Sequence, residues 1–177
     1  MQVVEAIEIE TARLEDVHEA AGTDLIKLDA QGFELTILEH AGPVLERALA
    51  VQTEVCFVPL YQGQPLFADV DALLRARGFM LHTLSGIGSR AYKPLVVRGD
   101  LNLGLNQVLW ADAVYVPDLA RIDRLPPDPL LKLAVILHAV YGSVDLAAVA
   151  LGLHDRLAGG RLRAAYLRSL TWPAAAA

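Results

Sequence analysis

Lys27 and Asp29 stand two positions apart in Leu25-Ile26-Lys27-Leu28-Asp29, an apolar run that carries opposite charges. In an extended strand, side chains two apart share a face, so this ammonium and carboxylate project together. Such charges beside a buried strand are costly unless they pair or meet a ligand. Two readings follow: a structural ion pair, or part of a binding site. The pair's position favours the second, because in open α/β sheets ligands bind just outside the carboxyl ends of the strands. A third charged residue repeats the pattern. In Ala50–Leu60 (AVQTEVCFVPL), Val51, Thr53, Val55 and Phe57 share one face, and Gln52, Glu54 and Cys56 share the other. Glu54 is either a solvated side chain on a half-exposed strand or a group held for use. Asp29, Glu34 and Glu54 also make a conceivable carboxylate set for Mg²⁺ or Mn²⁺. Dispersed carboxylates without an oriented shell are weak grounds for a metal, and none is expected.

Other chemistries find less support. Gly86-Ile87-Gly88 follows a strand-like run, but Pro94 and a β-like stretch come next instead of the helix a phosphate-cradling turn needs. His18, His40, His82, His138 and His154 show neither an i, i+4 pair nor zinc spacing. No GxSxG elbow is present for a serine nucleophile. The single cysteine, Cys56, gives neither an internal disulfide nor a cysteine metal site, which fits a reducing cytoplasm.

The elements that must position the charged set follow from periodicity. Val3–Thr11 alternates, with Ile7 and Ile9 on one face and Glu8 and Glu10 on the other, and reads as a half-exposed strand. A short helix ending at Gly22 comes next, then the strand Asp24–Asp29. Glu34–Ala41 is helical, Gly42-Pro43 breaks it, and Val44–Ala48 forms a further turn. After the Glu54 strand, Leu66–Ala76 is amphipathic, with Phe67, Val70, Leu73 and Leu74 on one side and Gly78 as its stop. Phe79–Leu84 is a strand, Ser85–Lys93 a loop and Trp110–Val116 a last strand. Helix-linked strands should be parallel through right-handed crossovers, and the final pair antiparallel. A boundary falls at Arg124–Pro129, and three helices follow it: Leu130–Tyr141, Val144–Leu157 and Leu162–Leu170. The residues at 173–177 are expected to be a disordered tail.

The chain has 177 residues, of which 54% are hydrophobic and 20% charged, with net charge −6. That length and composition allow a folded domain with a sizeable core. The absence of a Lys/Arg cluster argues against nucleic acid as the main partner. The acidic, alternating start is unlike a signal peptide. No apolar run reaches the about 18 residues that a membrane span requires.

The segments DLIKLDAQGFELTIL, AVQTEVCFVPLYQGQPLFADVDALLRARGF and LWADAVYV, in that order, resemble the FkbM-type S-adenosylmethionine-dependent methyltransferases from about Leu14 to about Asp118. The resemblance implies an α/β fold with a Rossmann-like class I methyltransferase sheet of seven strands, the last antiparallel. Within it the Asp29 strand is the fourth and the Glu54 strand the fifth. It implies (O-)methyl transfer from S-adenosylmethionine to a small-molecule or carbohydrate acceptor. Asp29, Lys27 and Glu54 then form the catalytic set. Asp29 and Gln31 meet the cofactor, Glu54 holds an acceptor hydroxyl, and Lys27 tunes Asp29 by charge.

The family's first three strands carry the glycine-rich cofactor turn and the ribose-binding acid, and the residues before Leu14 hold neither. The chain thus looks like the C-terminal half of that domain, spanning 1–123, with a helical extension over 124–172. The alternative to an enzyme is a non-catalytic scaffold or assembly module. In either case the strand ending at Asp29 lacks its neighbour on one side, so a homo-oligomer or pairing with a partner chain at that sheet edge is expected.

Overall fold

The computed structural model describes residues 5–170. Four strands form one sheet: β1 (Leu25–Leu28), β2 (Ala50–Cys56), β3 (Phe79–Ser89) and β4 (Val108–Pro117). Between them run α1 (Glu34–Glu39), α2 (Gly42–Arg47) and α3 (Phe67–Ala76). After β4 come α4 (Leu119–Ile122), α5 (Pro127–Ala139), α6 (Val144–Ala158) and α7 (Leu162–Ser169). The strand order is β1-β2-β4-β3. β1 and β2 are parallel, and β4 is antiparallel to both β2 and β3. β1, β2 and β3 therefore run one way and β4 runs against them, as the helix-linked pattern predicts.

Alternation along β2 decides which residues the helices cover. Val51, Thr53 and Val55 are buried, and with Ile26, Ala113 and Tyr115 they meet Leu38, Leu45, Val70 and Leu74 of α1–α3. The apolar faces of these helices match the apolar face of the strands, so burial fixes the register. A second core lies on the other face. Leu49, Val116 and the half-buried Met80 pack against Leu130, Leu133 and Leu137 of α5 and Ala147, Ala150 and Leu151 of α6. It covers the end of the sheet where β1 and β2 begin.

Several sequence expectations change. Residues Glu5–Thr11 form no strand, and Ile7 and Ile9 are 75% and 77% exposed. Val3 and Val4, like the tail at 173–177, lie outside the described residues. In place of one helix before β1 there are two 3₁₀ turns, Leu14–Asp16 and His18–Gly22. The break at Gly42-Pro43 divides the stretch into α1 and α2, and the pair sits in the first turn of α2, where proline loses no intrahelical hydrogen bond. β3 extends through Ser85–Ser89, which the sequence presents as loop. Register shifts between Leu81 and Thr83 and between Ser85 and Gly88 break the alternation that would have marked a strand. Gly88 is required there: a Cβ would fall 2.1 Å from the Trp110 ring.

Candidate functional site

The polar set gathers where β1 and β2 end. The face opposite the first core carries Lys27 beside Gln52 and Glu54 beside Asp112 in the strand registers. The α5–α6 core does not extend over these residues, so Gln52, Glu54 and Asp112 stay half-buried while Lys27 and Asp29 are exposed. The sheet thus accepts charge at this rim, where water still reaches it.

The turn that follows β1 is held from below. Glu34, the first residue of α1, is 6% exposed. One of its carboxylate oxygens accepts from the Ala30 N–H at 2.7 Å, and the other accepts from the Gly32 N–H at 2.9 Å. Between those anchors Gln31 takes a left-handed backbone, φ 52°, followed by Gly32 at φ 103°. A non-glycine residue in that region stores strain that its surroundings must hold. The Gln31 amide donates to Asp29 Oδ1 at 2.8 Å, and its oxygen accepts from the Tyr61 hydroxyl at 3.4 Å.

The loop after β2 forms the opposite wall. The Gln64 oxygen accepts from the Leu60 and Tyr61 N–H groups at 2.9 and 3.2 Å, and its amide reaches Cys56 Sγ at 3.1 Å. Burial pushes the Cys56 thiol up from its ordinary range, so it stays protonated and is a poor nucleophile. A cleft of about 390 Å³ opens between Gln31, Phe33, Thr36, Tyr61 and Gln64. A larger cavity of about 800 Å³ lies along the exposed flank of α1, lined by Leu14, Val17, Ile37 and His40. None of the acidic set lines it.

Carboxylate oxygens of Asp29, Glu34 and Glu54 lie within 4.8 Å of one another. That spacing would reach a cation, yet both Glu34 oxygens already accept from the turn. Burial, and then the charges of Asp29, Glu34 and Asp112, raise the Glu54 pKa; Lys27 opposes them. The crowding makes Glu54 a stronger proton acceptor than an ordinary surface carboxylate. Lys27 forms no ion pair among the described residues, so the structural Lys27–Asp29 bridge is not formed. Its charge instead acts on Glu54.

Lys27, Asp29, Gln31 and Glu54 therefore share one rim, joined by residues that sequence reasoning missed. Asp112 is an acid inside an apolar strand, the same signal that marked Glu54. Tyr61 and Gln64 come from a loop whose sequence shows only turn chemistry. Tyr141, in the turn after α5, reaches back to donate to the Gln52 oxygen at 3.4 Å. Burial and the Asp112 carboxylate raise its hydroxyl pKa. No periodicity in the C-terminal helices points to this contact.

Among the described residues no helix is long and apolar enough to cross a membrane. No curated protein and no solved structure matches the chain. The family model of the methyltransferase FkbM domain matches residues 1–81. The match takes in β1, α1, α2, β2 and α3, and stops before Trp110–Val116, which the sequence resemblance had included. Over the segment that holds Lys27, Asp29, Gln31, Glu34 and Glu54, the chain is similar to the methyltransferase FkbM domain.

Proposed function

We propose that this rim is part of the site of an S-adenosylmethionine-dependent (O-)methyltransferase of the FkbM type. The observation that carries the reading is the convergence of Asp29, Gln31 and Glu54 at the carboxyl ends of adjacent parallel strands, within the segment that matches that family. We read residues 1–123 as a partial methyltransferase-like domain on a Rossmann-like class I sheet, and 124–172 as its helical extension. The antiparallel direction of β4 supports that reading.

The rim fits one end of the cofactor. The methionine end of S-adenosylmethionine carries a sulfonium, an ammonium and a carboxylate; Asp29, Glu54 and Asp112 supply negative charge for the two cations, and Lys27 supplies positive charge for the carboxylate. Among the described residues, no glycine-rich turn leads from a strand into a helix to take the adenosine side. When bound, the cofactor supplies a methyl group on a sulfonium carbon.

The chain's own residues do the rest. Asp29, steadied by Gln31, orients the cationic end. Glu54, with its raised pKa, accepts a proton from an acceptor hydroxyl held against it. Lys27 limits how far that pKa rises. Glu34 fixes the turn so that Gln31 and Asp29 keep their geometry. A small molecule or carbohydrate with a free hydroxyl suits the polar walls.

The open edge of β1 favours a second reading, an assembly module built on the same fold, and it supports pairing with another chain at that edge. Calorimetric titration separates the two. The enzyme reading predicts binding of S-adenosylmethionine to this chain weaker than micromolar, because only one end of the cofactor is held. Saturable micromolar binding, roughly −8 kcal/mol, would contradict that partial site. Heats identical with and without the acidic rim would favour the assembly module.

A further inference from the structure

β1 stands at the end of the sheet, with β2 on one side and no strand among the described residues on the other. It contains no proline and no bulge to blunt that edge. Elsewhere in the chain lies a segment with the opposite shortage. Residues 5–12 alternate apolar and acidic side chains only over 7–10, yet the segment takes no regular structure and makes no backbone–backbone hydrogen bond among the described residues. Ile7 and Ile9 are left three-quarters exposed, at 75% and 77%.

We propose that Glu5–Glu10 of a second copy adds as a strand to the open edge of β1, and that the exchange is reciprocal, giving a two-fold dimer. Side-chain parity supports the fit. A strand that places Ile7 and Ile9 beside Ile26 and Leu28, on the face of the first core, necessarily places Glu8 and Glu10 on the face of Lys27. Run antiparallel to β1, with Ile9 beside Ile26 and Ile7 beside Leu28, the strand sets Glu8 against Lys27, which is exposed and has no ion-pair partner among the described residues, and sets Glu10 beside Leu25, clear of Asp29.

The chain's own segment is badly placed for this. Its continuation, Thr11–Val17, lies along Thr36, Ile37 and His40 on the exposed flank of α1, and the Glu15 N–H is bonded to the His40 carbonyl at 3.2 Å. The segment therefore departs beside a helix and not beside β1. Reciprocal exchange satisfies two edges at once and closes the assembly, as a self-complementary two-fold interface must.

The inference rests on the reading that another chain pairs at the β1 edge, and is independent of methyl transfer. A failed cofactor titration leaves it standing. Light scattering over a tenfold dilution range tests it. The wild-type chain is expected at twice 19.1 kDa, and removal of residues 1–11 returns it to monomer. Lys27→Glu alone, and Glu8→Lys with Glu10→Lys alone, each weaken self-association by roughly tenfold or more through like-charge contact. Mixing the two charge-reversed proteins in equal amounts restores a dimer, because each then meets its complement. A monomeric wild type overturns the proposal. So does a dimer that survives both the deletion and the charge reversals. If the deleted chain fails to fold, the mixing experiment decides alone, since its substitutions are at exposed positions.

Discussion

The two faces of β2 differ more than its sequence alternation alone requires. On one face Val51, Thr53 and Val55 are 0%, 0% and 2% exposed, sealed beneath α1–α3. On the other face Gln52 and Glu54 remain half-buried, because the α5–α6 core stops at Leu49 and Val116. The same strand thus works as an anchor on one side and as a mount on the other. The sealed face fixes where the backbone runs. The open face can then hold charges close together without losing the fold, because the apolar contacts that stabilise the strand are elsewhere.

A charge moved from one face of the strand to the other should show the largest difference between them. Val51→Asp places a carboxylate in the sealed core with no partner and should destabilise the chain by about 3–5 kcal/mol, the scale of an uncompensated buried charge. Gln52→Asp, one residue away, faces Lys27 at the rim and should cost about 1 kcal/mol or less. Urea denaturation of both variants checks the contrast. Equal costs would mean that the two faces are not distinct environments.

A smaller effect should appear in the pH dependence of stability. The folded pKa of Glu54 lies above its ordinary value of 4.5, chiefly through burial and then through Asp29. Between those two values the folded chain binds more protons than the unfolded chain, so this group's contribution falls as pH rises through that window. Below pH 4.5 the penalty is absent, and above the folded pKa it is complete. Glu54→Gln should remove that slope while changing stability near neutral pH by only about 0.5 kcal/mol, because the group remains partly solvated. Denaturation midpoints across a pH series, compared between wild type and variant, measure it. An unchanged slope would show that the rim does not crowd Glu54.

The sealed face was the more legible of the two in the sequence. Alternation along Val51–Phe57 and the amphipathic pattern of Phe67–Leu74 are local signals, and both elements form, although the strand ends at Cys56 and does not run on to Leu60. The far half of β3 was hidden because bulges around Gly86 and Gly88 replace alternation with irregular register. At the rim, Lys27, Asp29 and Glu54 stood out as charges in apolar runs. What Glu34 does for the turn could not be read so directly, since a first-turn acid equally suits the helix dipole. The approach of Tyr61, Gln64 and Tyr141 depends on how loops and the α5–α6 pair fold back on the sheet. No local pattern encodes that. The N-terminal alternation suggests a strand, but the described residues 5–11 form none.

The proposed role of the open face at Asp29, Gln31 and Glu54 is to receive the cationic end of S-adenosylmethionine. Backbone amide chemical shifts followed during titration to millimolar cofactor test it most directly. Perturbations are expected to concentrate at residues 28–34, 52–56 and 61–64, to be lost in Asp29→Asn, and to be weaker with S-adenosylhomocysteine, whose thioether sulfur is uncharged. Perturbations centred on the α1 flank near Leu14 and His40, or a response that Asp29→Asn leaves intact, would contradict it.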